Sequence, residues 1–451
     1  MSEPGIRTAE IRSALADVLP GIRADLERLV RIPSVSADPA ARPHVEASAA
    51  EVARQLVDAG LPEVEVIGEG GGLPAVVGRR PGPPGAPTVL LYAHHDVQPV
   101  GDEGQWATAP FEAVERQGRL YGRGAADDKA GVALHCAALR ALGDEPSVGV
   151  TVLIDGEEEI GSPTLPALLA RHGERLRGDV LVLADSINWR VGVPALTTSL
   201  RGGVNVVVEV RTLEHAVHNG AYGGPVPDAL TALARLLATL HDDRGDVAVA
   251  GLSRSDTDPL DLTDDQLRTD AGVLDGVHLI GTGTLTSRLW TGPALSVIGI
   301  DAPSVDEAGM VLVPWARARI ALRIGPGDDA AAARDAVVAH LRDHAPWGAA
   351  VSVSAGEPVA PYSAETSGPA YAAARAAFAD AWGTPPVEIG VGGSIGFLAP
   401  FAAAFPDAEI LVTGIEDPDT RAHAPNESLH LADFERACLA EALLLERLAR
   451  R

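Results

Sequence analysis

Apolar residues recur at helical spacing over residues 10 to 30 and 46 to 59, which predicts two helices near the start of the chain. The segments PAVVGRR, TVLLYAH, VGVTVLID and DVLVLAD are short apolar runs bounded by turn residues, the pattern of strands covered on both faces. Helical patterns at about 129 to 142 and 163 to 176 separate the later runs. This alternation predicts an α/β domain whose mostly parallel central sheet is flanked by helices. Near residue 198 the texture changes. VNVVVEVRT alternates like a strand with one exposed face, and a helix follows at about 226 to 241. The long stretch RSDTDPLDLTDDQLRTD then reads as a polar loop, RARIALRIG and AAVSVSA as strands, and DDAAAARDAVVAHLRDH as a helix. Two helices on an antiparallel sheet make an inserted α+β domain. From about 358 the α/β texture returns and ends in the helix LADFERACLAEALLLERLA. The predicted organisation is one α/β domain in two parts, 1–197 and 358–451, interrupted by an α+β domain at 198–357.

Charge removes one class of function. The 451-residue chain carries 62 acidic and 36 basic residues, a formal charge of −26, and has no Lys/Arg-rich run. Phosphate neutralisation needs a basic face, so no nucleic-acid partner is expected, and the acidity serves solubility. Cys136 and Cys438 form no CxxC pair and sit in apolar helical patterns. That argues against a disulfide framework and against a thiolate zinc site, so a metal would need His and carboxylate ligands. The N-terminal stretch MSEPGIRTAEIRSALADVLP lacks an apolar signal region, and no run of 18 apolar residues occurs. A cytoplasmic protein without a membrane partner is the expectation. Of the 36 basic residues one alone is lysine, Lys129, in AADDKAG.

Polar clusters follow the apolar runs, where open α/β sheets gather ligands. In Ala93-His94-His95-Asp96, alternate strand residues share a face, so His94 and Asp96 point one way and His95 the other. An aspartate two residues on is well placed to hold the second N–H of a metal-bound imidazole, although a capped strand end also accounts for this cluster. Gly122-Arg-Gly-Ala-Ala-Asp127-Asp128-Lys129 precedes a helix and reads equally as an acidic N-cap. VTVLIDGEEEIGSP places Glu157, Glu158 and Glu159 side by side, which repel unless solvated or bound to a cation. Asp185, in DVLVLADSINW, is again an acid directly after a predicted buried strand, and His423 lies in the loop DTRAHAPNESLH. Together these residues suit a two-metal hydrolytic site with nitrogen and oxygen ligands.

The set YAHHDVQP, YGRGAADDK, DGEEEIGS, VLADS, HNGAYGG, GGSIG and AHAPNE, spanning residues 92 to 427, resembles the di-metal aminoacylase/carboxypeptidase metallopeptidase family. Cytosolic dipeptidases, carnosinases, acetylornithine deacetylase and succinyl-diaminopimelate desuccinylase belong to it, and the motif contexts look most like the dipeptidase/carnosinase branch. The resemblance implies that His94 and Asp185 bind one metal, that Glu159 and His423 bind the second, and that Asp127 bridges them. It also implies a cis peptide between Asp127 and Asp128, Asp96 as orienter of His94, and Glu158 as general base. His218 of HNGAYGG matches a histidine that reaches the neighbouring subunit's active site in dimeric relatives, which implies a homodimer with residues 198–357 as lid and dimerisation domain. Arg323, Gly393 and Ser394 resemble positions that hold the substrate's carboxylate or backbone, although the stretch before Arg323 is one residue shorter than the usual pattern. Ala93 replaces a common Gly, and Ala125-Ala126 replaces a more polar pair. The implied protein is a metallopeptidase with two divalent ions, zinc first and manganese or cobalt as options. Its implied substrates are dipeptides or short peptides with a free carboxylate, with N-acyl amino acids as the alternative.

Two rivals belong beside this reading. Gly392-Gly-Ser394-Ile-Gly396 fits the GxSxG elbow of a serine hydrolase, with Asp417 or Asp419 and then His423 in the right order. It leaves the N-terminal acidic clusters idle, and about 30 residues between Ser394 and His423 are few for the intervening elements. A non-catalytic relative would bind metal stoichiometrically without hydrolysis.

Overall fold

The computed structural model describes residues 7–143, 147–258, 260–393 and 398–450. The strands used below are β1 (Glu63–Ile67), β2 (Ala75–Arg80), β3 (Thr88–His94), β4 (Gly149–Asp155), β5 (Val180–Leu183), β6 (Ala195–Leu200), β7 (Gly202–Arg211), β8 (Ala294–Asp301), β9 (Trp315–Ile324), β10 (Ala350–Ala355) and β11 (Glu409–Thr413). The main helices are α1 (Thr8–Val30), α2 (Arg42–Asp58), α3 (Lys129–Leu142), α4 (Leu165–Leu176), α5 (Ala229–Ala238), α6 (Ala330–Asp343), α7 (Pro369–Trp382) and α8 (Leu431–Leu448). The chain divides into two compact units, Met1–Thr198 with Ala364–Ile389 and Gly396–Arg451, and Ser199–Ser363 with Gly390–Ile395.

In the first unit the sheet runs β1-β2-β4-β3-β5-β11-β6. Its centre is parallel, with β3 beside β4 and β5 and β11 beside β5, while β1, β2 and β6 add antiparallel edges. The central strands are largely apolar because helices cover both faces, and β4 and β5 are buried at every residue. α1 packs on α3, and α8 packs on both α3 and α7. The sole lysine has a structural place here. Lys129 Nζ is buried and donates to Leu29 O at 2.8 Å and Ile32 O at 2.7 Å, satisfying carbonyls at the C-terminal end of α1. Burial brings its pKa down to about 7.

The second unit is an antiparallel sheet, β8-β9-β7-β10, with α5 and α6 packed on it. β9 alternates exposed and buried residues, and its buried Ala316, Ala318, Ile320 and Leu322 join Val206, Val208, Leu233 and Val337 in a separate core. Among the elements that the pattern did not predict, two are instructive. Where it predicts a polar loop, Asp264–Asp270 is helical, started by Thr263 Oγ1 accepting from Gln266 N and by Asp264 and Asp265 in the first turn. β8 is the second. Its residues from Ser296 to Asp301 are all exposed, so no inward-outward alternation marks it, and a register shift falls between Val297 and Gly299. Among the described residues, no helix is long and apolar enough to cross a membrane.

Candidate metal centre

Parallel strands deliver their polar residues at one end of the first unit's sheet. β3 ends at His94, opposite Asp155 at the end of β4, and Asp185 follows β5 by two residues. His94 Nδ1 donates to the Asp96 carbonyl oxygen at 3.0 Å, which turns Nε2 toward Asp127 Oδ1 at 3.1 Å. The Asp96 carboxylate then reaches across to the next strand's loop, accepting from Glu158 N at 3.2 Å and Glu159 N at 3.1 Å. Asp96 therefore positions both a histidine and the glutamate loop. His95 faces elsewhere: it is buried, its Nε2 donates to Pro74 O at 2.9 Å, and burial pushes its pKa down to about 4.

The three adjacent glutamates divide their tasks. Glu157 is buried and spent on structure, accepting from Leu73 N and from the Thr164 backbone and hydroxyl. Glu159 accepts from Gln98 N at 3.0 Å and Gln98 Nε2 at 2.7 Å. Its Oε2 also lies 3.3 Å from His423 Nε2. The Glu158 carboxylate feels the charges of His94, Asp185 and Glu159 around it. Asp155 shapes the turn, accepting from Gly156 N, Glu157 N and Ser162 Oγ.

Asp127 stands between the two histidines, with Oδ1 at His94 and Oδ2 at 2.9 Å from His423 Nε2. The Asp127–Asp128 peptide is cis. Asp128 accepts from His94 N and caps α3 through Gly131 N, so backbone groups already occupy its oxygens. His423 has a φ of 62° in a loop where Arg421 and Asn426 are also left-handed. Asn426 pins that loop, accepting from Ala107 N and donating to Gln105 O, each at 2.8 Å.

Glu427 is the residue that motif inspection left without a role. Wholly buried, it accepts from Arg123 Nη1 at 2.6 Å and from Gly124 N, Ala126 N and Asp127 N. One carboxylate thus ties the loop carrying His423 to the loop carrying Asp127. Its place four residues after His423 in AHAPNE was the available signal.

The electrostatics of the cluster favour a cation. Burial raises Glu158, with Asp185 and Glu159 adding repulsion, and burial lifts Asp185 to about 7. Glu416, half-buried, is raised by desolvation and by repulsion from Asp127 and Asp185. Hydrogen bonds to Asp127 and Glu159 lift His423 to about 11, and those to Asp127 and Asp96 outweigh burial to raise His94. Protons on the histidines thus hold together an excess of carboxylates, the place that divalent cations fit. His94, Asp127 and Glu159, and likewise His94, Asp128 and Asp185, present one ligand atom each within 4.8 Å of one another. A mixed set of imidazole and carboxylate suits Zn²⁺ or Mn²⁺.

The remaining candidates belong to the second unit. His218 is exposed, and its Nδ1 accepts from Gly220 N at 3.0 Å at the start of the turn Asn219–Tyr222. Arg323 lies on β9 opposite Gly203. Gly393 follows β-paired Val391, whose carbonyl accepts from Arg201 N. Ser394 lies outside the described residues.

A profile of peptidase family M20/M25/M40 matches residues 90–447. The chain belongs to this family. Cysteinylglycine-S-conjugate dipeptidase of Corynebacterium striatum is 38% identical over 369 residues, 80% of this chain and 81% of that one. Beta-Ala-His dipeptidase of Homo sapiens is 28% identical over 398 residues, 83% of this chain and 77% of the relative. Human carnosine dipeptidase 1 superposes with a TM-score of 0.84 at 25% identity, covering 100% of both chains. The di-peptidase Dug1p from Saccharomyces cerevisiae gives a TM-score of 0.84 at 22% identity, covering 99% of this chain and 100% of that one. Membership in M20/M25/M40, together with the ligand groups above, supports divalent-metal binding by this peptidase-family enzyme.

Proposed function

We propose that this M20 protein is a two-metal dipeptidase. The observation that carries the reading is Asp127, whose two oxygens face His94 and His423 from opposite sides. Asp127 is the bridging ligand, His94 and Asp185 complete one site, and Glu159 and His423 the other. Zinc is the first choice of ion, with manganese or cobalt as options. Bound there, the ions would supply Lewis-acid polarisation of the scissile carbonyl and a water more acidic than bulk water.

Glu158 is the general base. It takes a proton from the attacking water and returns it to the leaving amine, a role worth roughly 10²–10⁴ in rate. The Asp96 carboxylate holds the Glu158 and Glu159 amides, so base and ligand are aimed by one group. His218 donates to the developing oxyanion, and Arg323 with the Gly393-Ser394 segment holds the substrate's carboxylate end. The substrate is a dipeptide or short peptide with a free carboxylate, and the relatives named as dipeptidases favour it over an N-acyl amino acid. The protein works in the cytoplasm as a homodimer. β8 supports the dimer, because it ends the sheet of the second unit and exposes Val297, Ile298 and Ile300.

Dialysis against a chelator should abolish hydrolysis of a dipeptide panel, and added Zn²⁺ or Mn²⁺ should restore it. Glu158→Gln should keep its metal and lose at least about 10²-fold in kcat. Activity that survives chelation would remove the metal mechanism and return Ser394 to consideration. An active Glu158→Gln enzyme would remove Glu158 as the base.

A further inference from the structure

Glu416 is a carboxylate at the metal centre that neither binds nor supports a proposed ligand. It follows β11 by three residues and precedes His423 by seven. β11 runs parallel to β5, and the segment beyond it stays paired with the segment that carries Asp185, Glu416 lying opposite Ile187. Ile415 N and Glu416 N donate to Ser186 O at 2.9 and 3.2 Å, and Asn188 N donates to Glu416 O at 2.8 Å. The Glu416 backbone is thus fixed beside a proposed ligand. Its neighbours in the chain turn away: Ile415 is buried in the core, and Asp417 accepts from Arg119 Nη2 at 2.8 Å. Alternation turns Glu416 to the other side, where the charges around it are those of Asp127, Asp185, Glu427 and His423. Half-buried there, its carboxylate takes part in no hydrogen bond or ion pair among the described residues.

The other acids of the cluster are committed. Asp127, Asp185 and Glu159 are the proposed ligands and Glu158 the base, while Asp96, Asp128 and Glu427 hold backbone amides. The surroundings that repel an anion at Glu416 attract a cation to it. A metal ion is not that cation, because Glu416 belongs to neither group of ligand atoms lying within 4.8 Å of one another. Peptide chemistry supplies another. In a dipeptide the free ammonium stands on the carbon next to the scissile carbonyl, about 2.5 Å from the carbonyl carbon. Where that carbonyl meets the metal centre the ammonium enters with it, and it needs a carboxylate that ligation leaves free. We propose that Glu416 binds the free ammonium of a dipeptide and so selects aminoacyl over N-acyl substrates. An N-acyl amino acid brings no charge to this point and leaves the carboxylate half-buried and unpaired, which disfavours it. The inference deepens the dipeptidase reading and rests on it for bringing the scissile carbonyl to the metal centre.

The test compares alanylglycine with propionylglycine, which differ only in an ammonium replaced by hydrogen, on the zinc-loaded enzyme. Glu416→Gln keeps the shape of the side chain and removes a charge that its neighbours repel, so the variant should fold and hold as much zinc as the wild type. Its kcat/KM for alanylglycine should fall about tenfold to a hundredfold, the scale of a lost charge-assisted hydrogen bond. For propionylglycine it should change less than about threefold, and Glu416→Asp should recover part of the loss on the dipeptide. Equal losses on both substrates, or a loss of zinc from Glu416→Gln, would make Glu416 a support of the metal centre and overturn the proposal. An unchanged kcat/KM for alanylglycine would overturn it as well. If the wild type cleaves no dipeptide, the dipeptidase reading fails by itself, and calorimetry still decides the role of Glu416. Zinc-loaded wild type should then bind alanylglycine at least about tenfold more tightly than propionylglycine, and Glu416→Gln should lose that difference. Equal binding of the two by wild type, or a difference that survives in Glu416→Gln, would sink the proposal.

Discussion

His94 and His95 are adjacent, equally buried and chemically identical, yet one backbone step separates their tasks. Strand alternation turns His94 toward Asp127 and His95 toward the Pro74 carbonyl. His94→Ala should lose one metal equivalent, measured by elemental analysis of the purified protein, and lose turnover with it. His95→Ala should retain both ions but melt earlier, because a cavity opens and the Pro74 carbonyl loses a partner, together about 1–3 kcal/mol. Equal metal loss in the two variants would refute this register. The face of His94 was legible from a period of two. The division among the glutamates was not: EEE reads as three equivalent charges, and only the approach of Leu73 and Thr164 commits Glu157 to structure. Local spacing carries no information about such partners, since Leu73 lies 84 residues away and Thr164 comes close only through the fold of the turn that follows.

At the scale of elements, the metal centre depends on two loops held by one buried ion pair. Arg123 donates to Glu427 and to Pro99 O, and its guanidinium lies 5.5 Å from the Trp106 ring. The Glu427 carboxylate in turn fixes three amides of the Asp127 loop, those of Gly124, Ala126 and Asp127. Breaking a buried pair by removing one partner costs about 3–5 kcal/mol, since the other charge stays buried. Glu427→Gln should therefore lower stability in denaturant titrations and weaken metal binding about 10- to 100-fold, as loss of a supporting hydrogen-bond partner does. Arg123→Met should do the same. A destabilised Glu427→Gln variant with undiminished metal affinity would show that the pair supports the fold alone. Among elements, β3, β4 and β5 were legible because burial on both faces writes a continuous apolar run. β8 and Asp264–Asp270 were not, because an exposed edge and a capped polar turn leave no apolar period.

On the scale of the whole molecule, the two units have separate cores, Leu91, Val152 and Leu443 lying in one and Val208, Ile320 and Val337 in the other. All the proposed metal ligands lie in the first unit. A ligand stabilises the state that binds it, by about 2.7 kcal/mol when free metal stands at 100 times its dissociation constant. In the metal-free protein, protons on His94 and His423 hold the carboxylates together in place of the ions, a contribution that fades as pH rises from the ordinary histidine value of 6.5 toward about 11, where His423 itself deprotonates. Chelation at neutral pH should therefore lower the unfolding temperature of the first unit by about 5–10 °C, given 2–4 °C per kcal/mol for units of this size. Amide hydrogen exchange locates the effect. Peptides covering residues 92–98, 122–131, 155–161, 183–187 and 420–428 should lose protection on chelation, and those covering β7 and β9 should not. The reason is contiguity: Asp96 links the ends of β3 and β4, and Glu427 links the Asp127 and His423 loops, so releasing the ions loosens one connected set of hydrogen bonds. Protection lost evenly across both units would contradict a metal centre whose ligands all come from the first. Protection lost nowhere would mean that the hydrogen bonds alone preorganise the site, and that the ions contribute chemistry without supporting the fold.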